Sequence, residues 1–342
     1  EISLGLVGSE MCIRDSQYRD YAAKKDEESA MGTYTNRLYI DLLSENTLNY
    51  TGKTGKHDYS VLAGYTAQTT SERTAGIVGL GFPTDYIHTL NAATSFDLDG
   101  TYTQKYRTAM MSLLARATYS YDEKYLLSAS IRTDGSSLFA DGHQWGYFPS
   151  VSAGWTLSNE PFLKDALKDV ASIRLRASWG KSGNNDIGNY SSIAGISTGS
   201  YAFGTTAVST SRLGGFADSE LGWETTTQTN IGLDLGFFNS RLNVIANYYN
   251  SISTDILYNA PISAISGFTS STTNMTDAKI RNRGFDLQVD ARLLTGKVKW
   301  NVSTNISINR NKVVSLGGLD DILSTSERSV QSHITKEGYP IG

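Results

Sequence analysis

Apolar and polar side chains alternate along most of this chain with a period of two, which puts successive side chains on opposite faces of a strand. In VKWNVSTNISIN, Val298, Trp300, Val302, Thr304, Ile306 and Ile308 share one face, and Lys299, Asn301, Ser303, Asn305, Ser307 and Asn309 share the other. In ASIRLRASWG, Ala171, Ile173, Leu175, Ala177 and Trp179 oppose Ser172, Arg174, Arg176, Ser178 and Gly180. Likewise Val151, Ala153, Trp155 and Leu157 oppose Ser150, Ser152, Gly154 and Thr156. The pattern predicts about ten strands, near residues 37–50, 58–72, 105–120, 124–133, 147–158, 171–181, 225–236, 241–256, 281–293 and 298–311. Most match the roughly 9 to 11 residues of a tilted membrane strand better than the usual five or six.

The connections add a second regularity. TGKTGKH, DEK, FFNSR and LTGK are tight turns, and they alternate with long polar loops near 73–104, 134–146, 182–223 and 257–280. One link on the short side, NEPFLKDALKD, predicts a helical turn with Asn159 as N-cap and Pro161 in its first turn. Short and long links in alternation fit an antiparallel up-and-down β-barrel with tight turns on one rim and working loops on the other. The polar face agrees with a wet lumen, since Arg116, Arg132, Arg174, Arg176, Asp234, Asp286, Asp290, Arg292 and Lys299 would line it. Lipid would penalise those charges by several kcal/mol near its midplane. Tyr119, Tyr121, Tyr125, Phe237, Phe238 and Trp300 lie beside tight turns, where an interfacial aromatic girdle belongs, although aromatics are also common at strand ends of any kind. The expected fold is all-β, a partial transmembrane β-barrel.

Composition changes this picture little. The 342 residues are 39% hydrophobic and 19% charged with net charge −4, and this absence of basic excess points away from nucleic acid. Twenty Tyr and 32 Gly against 5 Pro suit strands and turns. The single Cys12 excludes an intrachain disulfide and a multi-cysteine metal site. No window reaches the roughly 18 apolar residues of a membrane helix. The first segment, EISLGLVGSEMCIRDS, lacks the basic and apolar regions of a signal peptide and reads as a translated adapter. Residues 1–16 are therefore set aside as a non-native leader, and 17–342 are taken as the barrel segment.

Catalytic and metal motifs are weak. GISTG at 195–199 has the spacing of a nucleophile elbow, but SYAFGTT after it is no helix to hold Ser197 exposed. GKTGKH has Tyr50 where a phosphate loop needs its first Gly. His57, His88, His143 and His333 have no ligand-like spacing, and DLDG and NNDIGN lack a full calcium ladder. No pair of carboxylates stands out for glycoside hydrolysis. The expectation is a protein without cofactor, metal or catalytic residues. Trp145, Tyr190, Tyr201, Phe203, Phe216 and Trp223, on the long-loop side, are candidate contacts for a ligand or partner, the alternative being that they pack the loops on themselves.

Several longer segments resemble, in order, the barrel of the SusC/RagA family of TonB-dependent outer-membrane transporters. They are SENTLNYTGKTGKHDYSVLAGYTAQ, ARATYSYDEKYLLSASIRTDGSSLFADGHQWGYFPSVSAGWTLSNEPFL, IRLRASWGKSGNNDIGNYSS, ELGWETTTQTNIGLDLGFFNSRLNVIANYYNSISTDIL, IRNRGFDLQVDARL and KEGYPIG. The resemblance covers most of residues 33–342 and includes turn and loop residues that an unrelated barrel would not share. It implies a plugged barrel of about 22 strands in a Gram-negative outer membrane. It further implies energisation through the TonB complex and import of oligosaccharides or peptides together with a SusD-like surface lipoprotein. The chain is expected to be part of that barrel, with the plug domain, TonB box and last strands outside it. Two rival readings are a passive outer-membrane pore or adhesin-like barrel, and a soluble β-rich carbohydrate-active enzyme. The enzyme would need a second layer to cover each apolar strand face, and the sequence offers none.

Overall fold

A computed structural model of the chain describes residues 2–19, 30–84, 86–167, 171–325 and 331–341. Its elements are β1 (Ile2–Arg19), β2 (Met31–Thr54), β3 (His57–Leu80), β4 (Ser95–Tyr121), β5 (Tyr125–Ser136), β6 (Trp145–Thr156), α1 (Pro161–Leu167), β7 (Ala171–Asn184), β8 (Ile196–Phe203), β9 (Thr206–Leu213), β10 (Glu224–Phe237), β11 (Leu242–Thr254), β12 (Ile256–Pro261), β13 (Ser270–Met275), β14 (Ala278–Thr295), β15 (Lys299–Leu316), β16 (Ile322–Thr325) and β17 (Gln331–Thr335). Eleven strands form one sheet in the order β1-β2-β3-β4-β5-β6-β7-β10-β11-β14-β15, and the other six form three separate two-stranded hairpins. No helix among the described residues is long and apolar enough to cross a membrane, so any crossing belongs to the strands.

All ten strands expected from the alternation are present, and the seven from β5 onward pair antiparallel as β5-β6, β6-β7, β7-β10, β10-β11, β11-β14 and β14-β15. Residues 2–16, set aside above, fall within β1, next to β2. Two expectations need correction. Strands β2, β3 and β4 run to 24, 24 and 27 residues, so that the loop placed near 73–104 shrinks to 81–94. Hydrogen bonding continues there although the apolar–polar alternation fades in segments such as TSERTAGIVGL, where Gly76, Val78 and Gly79 are buried and Ile77 between them is exposed. The long loops near 182–223 and 257–280 are also partly ordered, as the hairpins β8-β9 and β12-β13.

The chain divides into two compact units, one of Glu1–Ile2, Thr47–Tyr65 and Ser112–Gly342 and the other of Ser3–Asn46 and Thr66–Met111. Within the first, burial is inverted relative to a water-soluble sheet. In β5, Tyr125, Leu127, Ala129 and Ile131 are exposed while Leu126, Ser128, Ser130 and Arg132 are half-buried. Leu127, Val151 and Ile231, all in mid-strand, are 54%, 51% and 58% exposed. The buried apolar residues Phe139, Phe148, Leu221, Val313 and Leu316 instead lie at the long-loop ends of the strands. A continuous apolar face of this extent is open only where something other than water covers it.

The short turns are built from backbone and charge. Asp122 and Glu123 both take positive φ in the β4–β5 turn, where the Asp122 N–H donates to the Lys56 carbonyl at 2.7 Å. The Asp122 carboxylate pairs with Lys56 and Lys124, which lowers its pKa. The link after β6 differs from expectation in its cap. Glu160, not Asn159, accepts the first helical hydrogen bonds, from the N–H groups of Leu163 and Lys164 at 2.9 and 2.8 Å, while Asn159 Nδ2 donates to the Glu123 carbonyl. The buried Glu160 carboxylate accepts from Tyr125 OH at 2.7 Å and Trp155 Nε1 at 3.0 Å, and these bonds hold its pKa below the usual range.

Its charged form is thus favoured by folding. The stabilisation is complete above the ordinary glutamate range and is lost as pH falls through the lowered folded value. The thermal midpoint of the protein should accordingly exceed that of Glu160→Gln at neutral pH, and the gap should close below about pH 4. A gap that stays constant down to acid pH would show that Glu160 is not ionised in this node.

Candidate functional site

Strand alternation makes a polar inner face, and the sheet gathers it. A hollow of about 730 Å³ is lined from β2 to β10 by Ser60, Thr118, Ser128, Ser152, Ser178 and Asn230, with Lys53, Asp58, Arg174 and Arg176 among them. Over the same strands, a second hollow of about 780 Å³ is lined by Val61, Ala117, Ala129, Val151, Trp179 and Ile231, while Tyr59, Tyr119, Leu127, Ser128, Ser152 and Asn230 border both. The period of two puts neighbours such as Val151 and Ser152 on opposite faces of the strand.

The expected lumen charges are mostly tied down. Arg176 forms a two-point bond with Asp234, Nε to Oδ2 at 2.8 Å and Nη2 to Oδ1 at 2.6 Å, and Nη2 also reaches Asn247 Oδ1 at 3.0 Å. Gly232 faces Arg176 across the β7–β10 pair, and a Cβ there would stand 2.9 Å from the guanidinium carbon and 2.8 Å from Asn247 Oδ1. Gly232→Val should therefore push Arg176 off Asp234, while Gly232→Ala should do so less. A structure of Gly232→Val with the two-point bond intact would refute this steric reading.

Arg132 Nε bonds both oxygens of the buried Asp134 at 2.8 Å, with Nη2 on Ser112. Arg116 Nε reaches Ser128 Oγ at 3.4 Å, and Arg174 lines the hollow. Asp286 accepts from Ser307 Oγ, and Asp290 accepts from Ser303 Oγ and Gln288 Nε2. The Arg292 N–H completes the sheet by donating to the Arg241 carbonyl at 2.7 Å. Among the described residues no cluster of His, Cys, Asp and Glu is placed to hold a metal ion. Ser197 of GISTG lies on β8, which turns directly into β9, so the strand–helix elbow is not formed.

Beside the tight turns, rings form a chain: Tyr121 stacks 6.4 Å from Tyr125, which stacks 6.4 Å from Trp155. His57 joins it, 5.0 Å from Tyr121 and hydrogen-bonded through Nδ1 to Tyr119 OH at 2.7 Å. Phe237 and Phe238 make a further pair at 6.4 Å.

The long-loop rim is held by a knot that the sequence did not disclose. Trp223 lies 5.0 Å from Phe139 and 5.3 Å from Phe148, and its Nε1 donates to the Gln144 carbonyl at 2.8 Å. Leu221 is fully buried, and its carbonyl accepts the Ala140 N–H. Asn274 on β13 accepts the Gly222 N–H at 2.7 Å and donates to the carbonyls of Gly222 and Asp255. Gly183 leaves room for this packing, since a Cβ would come 2.2 Å from Phe148. Of the six candidate aromatics, Trp223 thus packs the loops on themselves. Trp145, Tyr190, Tyr201, Phe203 and Phe216 are exposed, and Tyr201 and Phe203 form an edge-on pair 5.0 Å apart on β8.

The profile of the family described as TonB dependent receptor-like, beta-barrel matches residues 12–330. TonB-dependent receptor P39 of Formosa agariphila is 36% identical over 89% of this chain, which spans 28% of that relative's length. TonB-dependent receptor SusC of Bacteroides thetaiotaomicron is 34% identical over 63% of the chain, 22% of its own length. Among solved structures, that of the RagAB peptide transporter superposes with a TM-score of 0.84 at 25% identity, covering 99% of this chain and 37% of the other. The open apolar face, the wet inner face and these likenesses agree, and the chain belongs to the TonB-dependent receptor β-barrel family, as a SusC-like part of an outer-membrane barrel.

Proposed function

We propose that this chain forms part of the wall of an active importer that takes up oligosaccharides or peptides, is energised through TonB and works with a SusD-like lipoprotein. The observation that carries this reading is the inverted sheet, with Leu127, Val151 and Ile231 exposed in mid-strand while Ser128, Ser130 and Arg132 on the other face of β5 are half-buried. A wall of this kind binds and guides, with no covalent step. The likeness to SusC and to the RagAB peptide transporter supports the partner and, of the two substrate classes, the peptide one; the oligosaccharide class rests on the resemblance of the sequence to the family. The exposed arm β8-β9 and the rim around it are the surfaces offered to a partner.

In the full-length protein, uptake of labelled oligosaccharides or peptides should stop when TonB is deleted. Replacing Ile196–Leu213 with a short Gly/Ser link should leave the barrel assembled, because Gly195 and Gly214 are already joined by a backbone bond of 2.7 Å. Recovery of the lipoprotein and uptake should both fall. Uptake that continues without TonB would contradict active import, and unchanged lipoprotein recovery would remove the arm from the partner surface.

A further inference from the structure

The arm β8-β9 shares an uncharged, Ser/Thr-rich composition with the hairpin at 256–276, and differs from it in the aromatic pair Tyr201 and Phe203 on one face. From Ile187 to Ser211 the chain carries no charged residue, and Ser, Thr and Gly dominate. Register places Phe203 with Thr206, Tyr201 with Val208, Gly199 with Thr210 and Ser197 with Arg212, so that these share one face. Tyr201, Phe203 and Val208 on that face are 58%, 65% and 41% exposed. A two-stranded hairpin is at best marginal in water, so cover over this aromatic face would stabilise it.

Its feet are fixed and its joints are glycine. On one side Asn185 Nδ2 reaches Ser136 Oγ at 3.4 Å, and on the other the Phe216 carbonyl accepts from Ser271 Oγ while Asp218 accepts from Thr273 Oγ1. Gly195 and Gly214–Gly215 stand between these anchors and the strands, with the Gly214 N–H donating to the Gly195 carbonyl at 2.7 Å.

We infer that the outer face of this arm is a binding platform for neutral oligosaccharide, a proposal that rests on the import reading above. A sugar ring has an apolar C–H face that suits Tyr201 and Phe203, and a rim of hydroxyls that can exchange hydrogen bonds with Thr206, Thr210 and Tyr201. A cationic ligand would lose hydration here and find no opposite charge on this face, and an anionic one would find only Arg212 at the foot. An acidic glycan or a charged peptide therefore fits the arm less well than a neutral saccharide.

The test uses the purified full-length protein with its partner, and calorimetric titration with malto-, cello-, xylo- and galacto-oligosaccharides, oligogalacturonate and a tryptic peptide mixture. At least one neutral series should bind, and Tyr201→Ala/Phe203→Ala should weaken it about tenfold or more, whereas Tyr201→Phe/Phe203→Tyr should retain it. Both variants should keep wild-type heat modifiability. Failure of every neutral series to bind would overturn the proposal. So would neutral binding that the alanine pair leaves unchanged, or a loss confined to oligogalacturonate or peptides. The import reading stands apart, because TonB-dependent uptake is scored separately in the wild type.

Discussion

Val151→Arg in the full-length protein is expected to destabilise the folded barrel by about 2 to 4 kcal/mol, and Ser152→Arg by far less. Val151 lies on the exposed apolar face, paired with Ala129 on one side and Trp179 on the other, four residues from the ring of Trp155. That distance along a tilted strand is about 10 Å, which brings the site near the bilayer midplane. Ser152 is its neighbour in sequence and, by the period of two, lies on the opposite, polar face, where an added guanidinium stays hydrated. Urea unfolding in lipid vesicles measures both. Equal losses from the two changes would show that β6 does not separate lipid from water.

The second large effect is expected at the rim. Trp223→Ala removes the ring held between Phe139 and Phe148 and leaves the Gln144 carbonyl without its donor. The loss should be about 3 kcal/mol to the rim knot, because large-to-small changes in packed sites cost about that much. Its signature is local: proteolysis in 137–144 and 214–222 should accelerate while the transmembrane sheet still resists heat in detergent. Trp223→Phe should recover most of the packing but not the hydrogen bond. Wild-type proteolysis of Trp223→Ala would mean that the knot does not depend on this ring.

Much of the sheet could be read from the residues themselves. Alternation located ten of the eleven strands of the main sheet, all but β1, because a lipid face and a wet face impose opposite demands on residues such as Leu127 and Ser128. It did not follow β3 past Glu72 or bring the start of β4 back to Ser95. Local chemistry also misplaced the helix cap, since Asn159 is a good N-cap residue in isolation whereas Glu160 is fixed by Tyr125 and Trp155 from other strands. The rim was the least legible part. Trp223, Leu221, Phe139 and Asn274 are far apart in sequence, and only folding brings them together. The spacing of Gly183 and Gly146 near Phe148 was a faint signal for that packing, as close approach demands glycine. Arg176 and Asp234 were both placed on the wet face by alternation, but their two-point bond depends on the β7–β10 register, which no local pattern encodes.

The account turns on which medium each strand face meets, and labels along one strand measure that directly. Single cysteines at 125 to 132 in the full-length protein, in a background without Cys12, would carry nitroxide labels in bilayers, with collision rates read for oxygen and for a nickel chelate. Labels at Tyr125, Leu127, Ala129 and Ile131 should collide mainly with oxygen, with the highest ratio towards Ala129 and Ile131. Labels at Leu126, Ser128, Ser130 and Arg132 should show a far lower oxygen-to-nickel ratio. A flat profile, or oxygen maxima at the even positions, would contradict the assignment of this sheet to an outer-membrane wall.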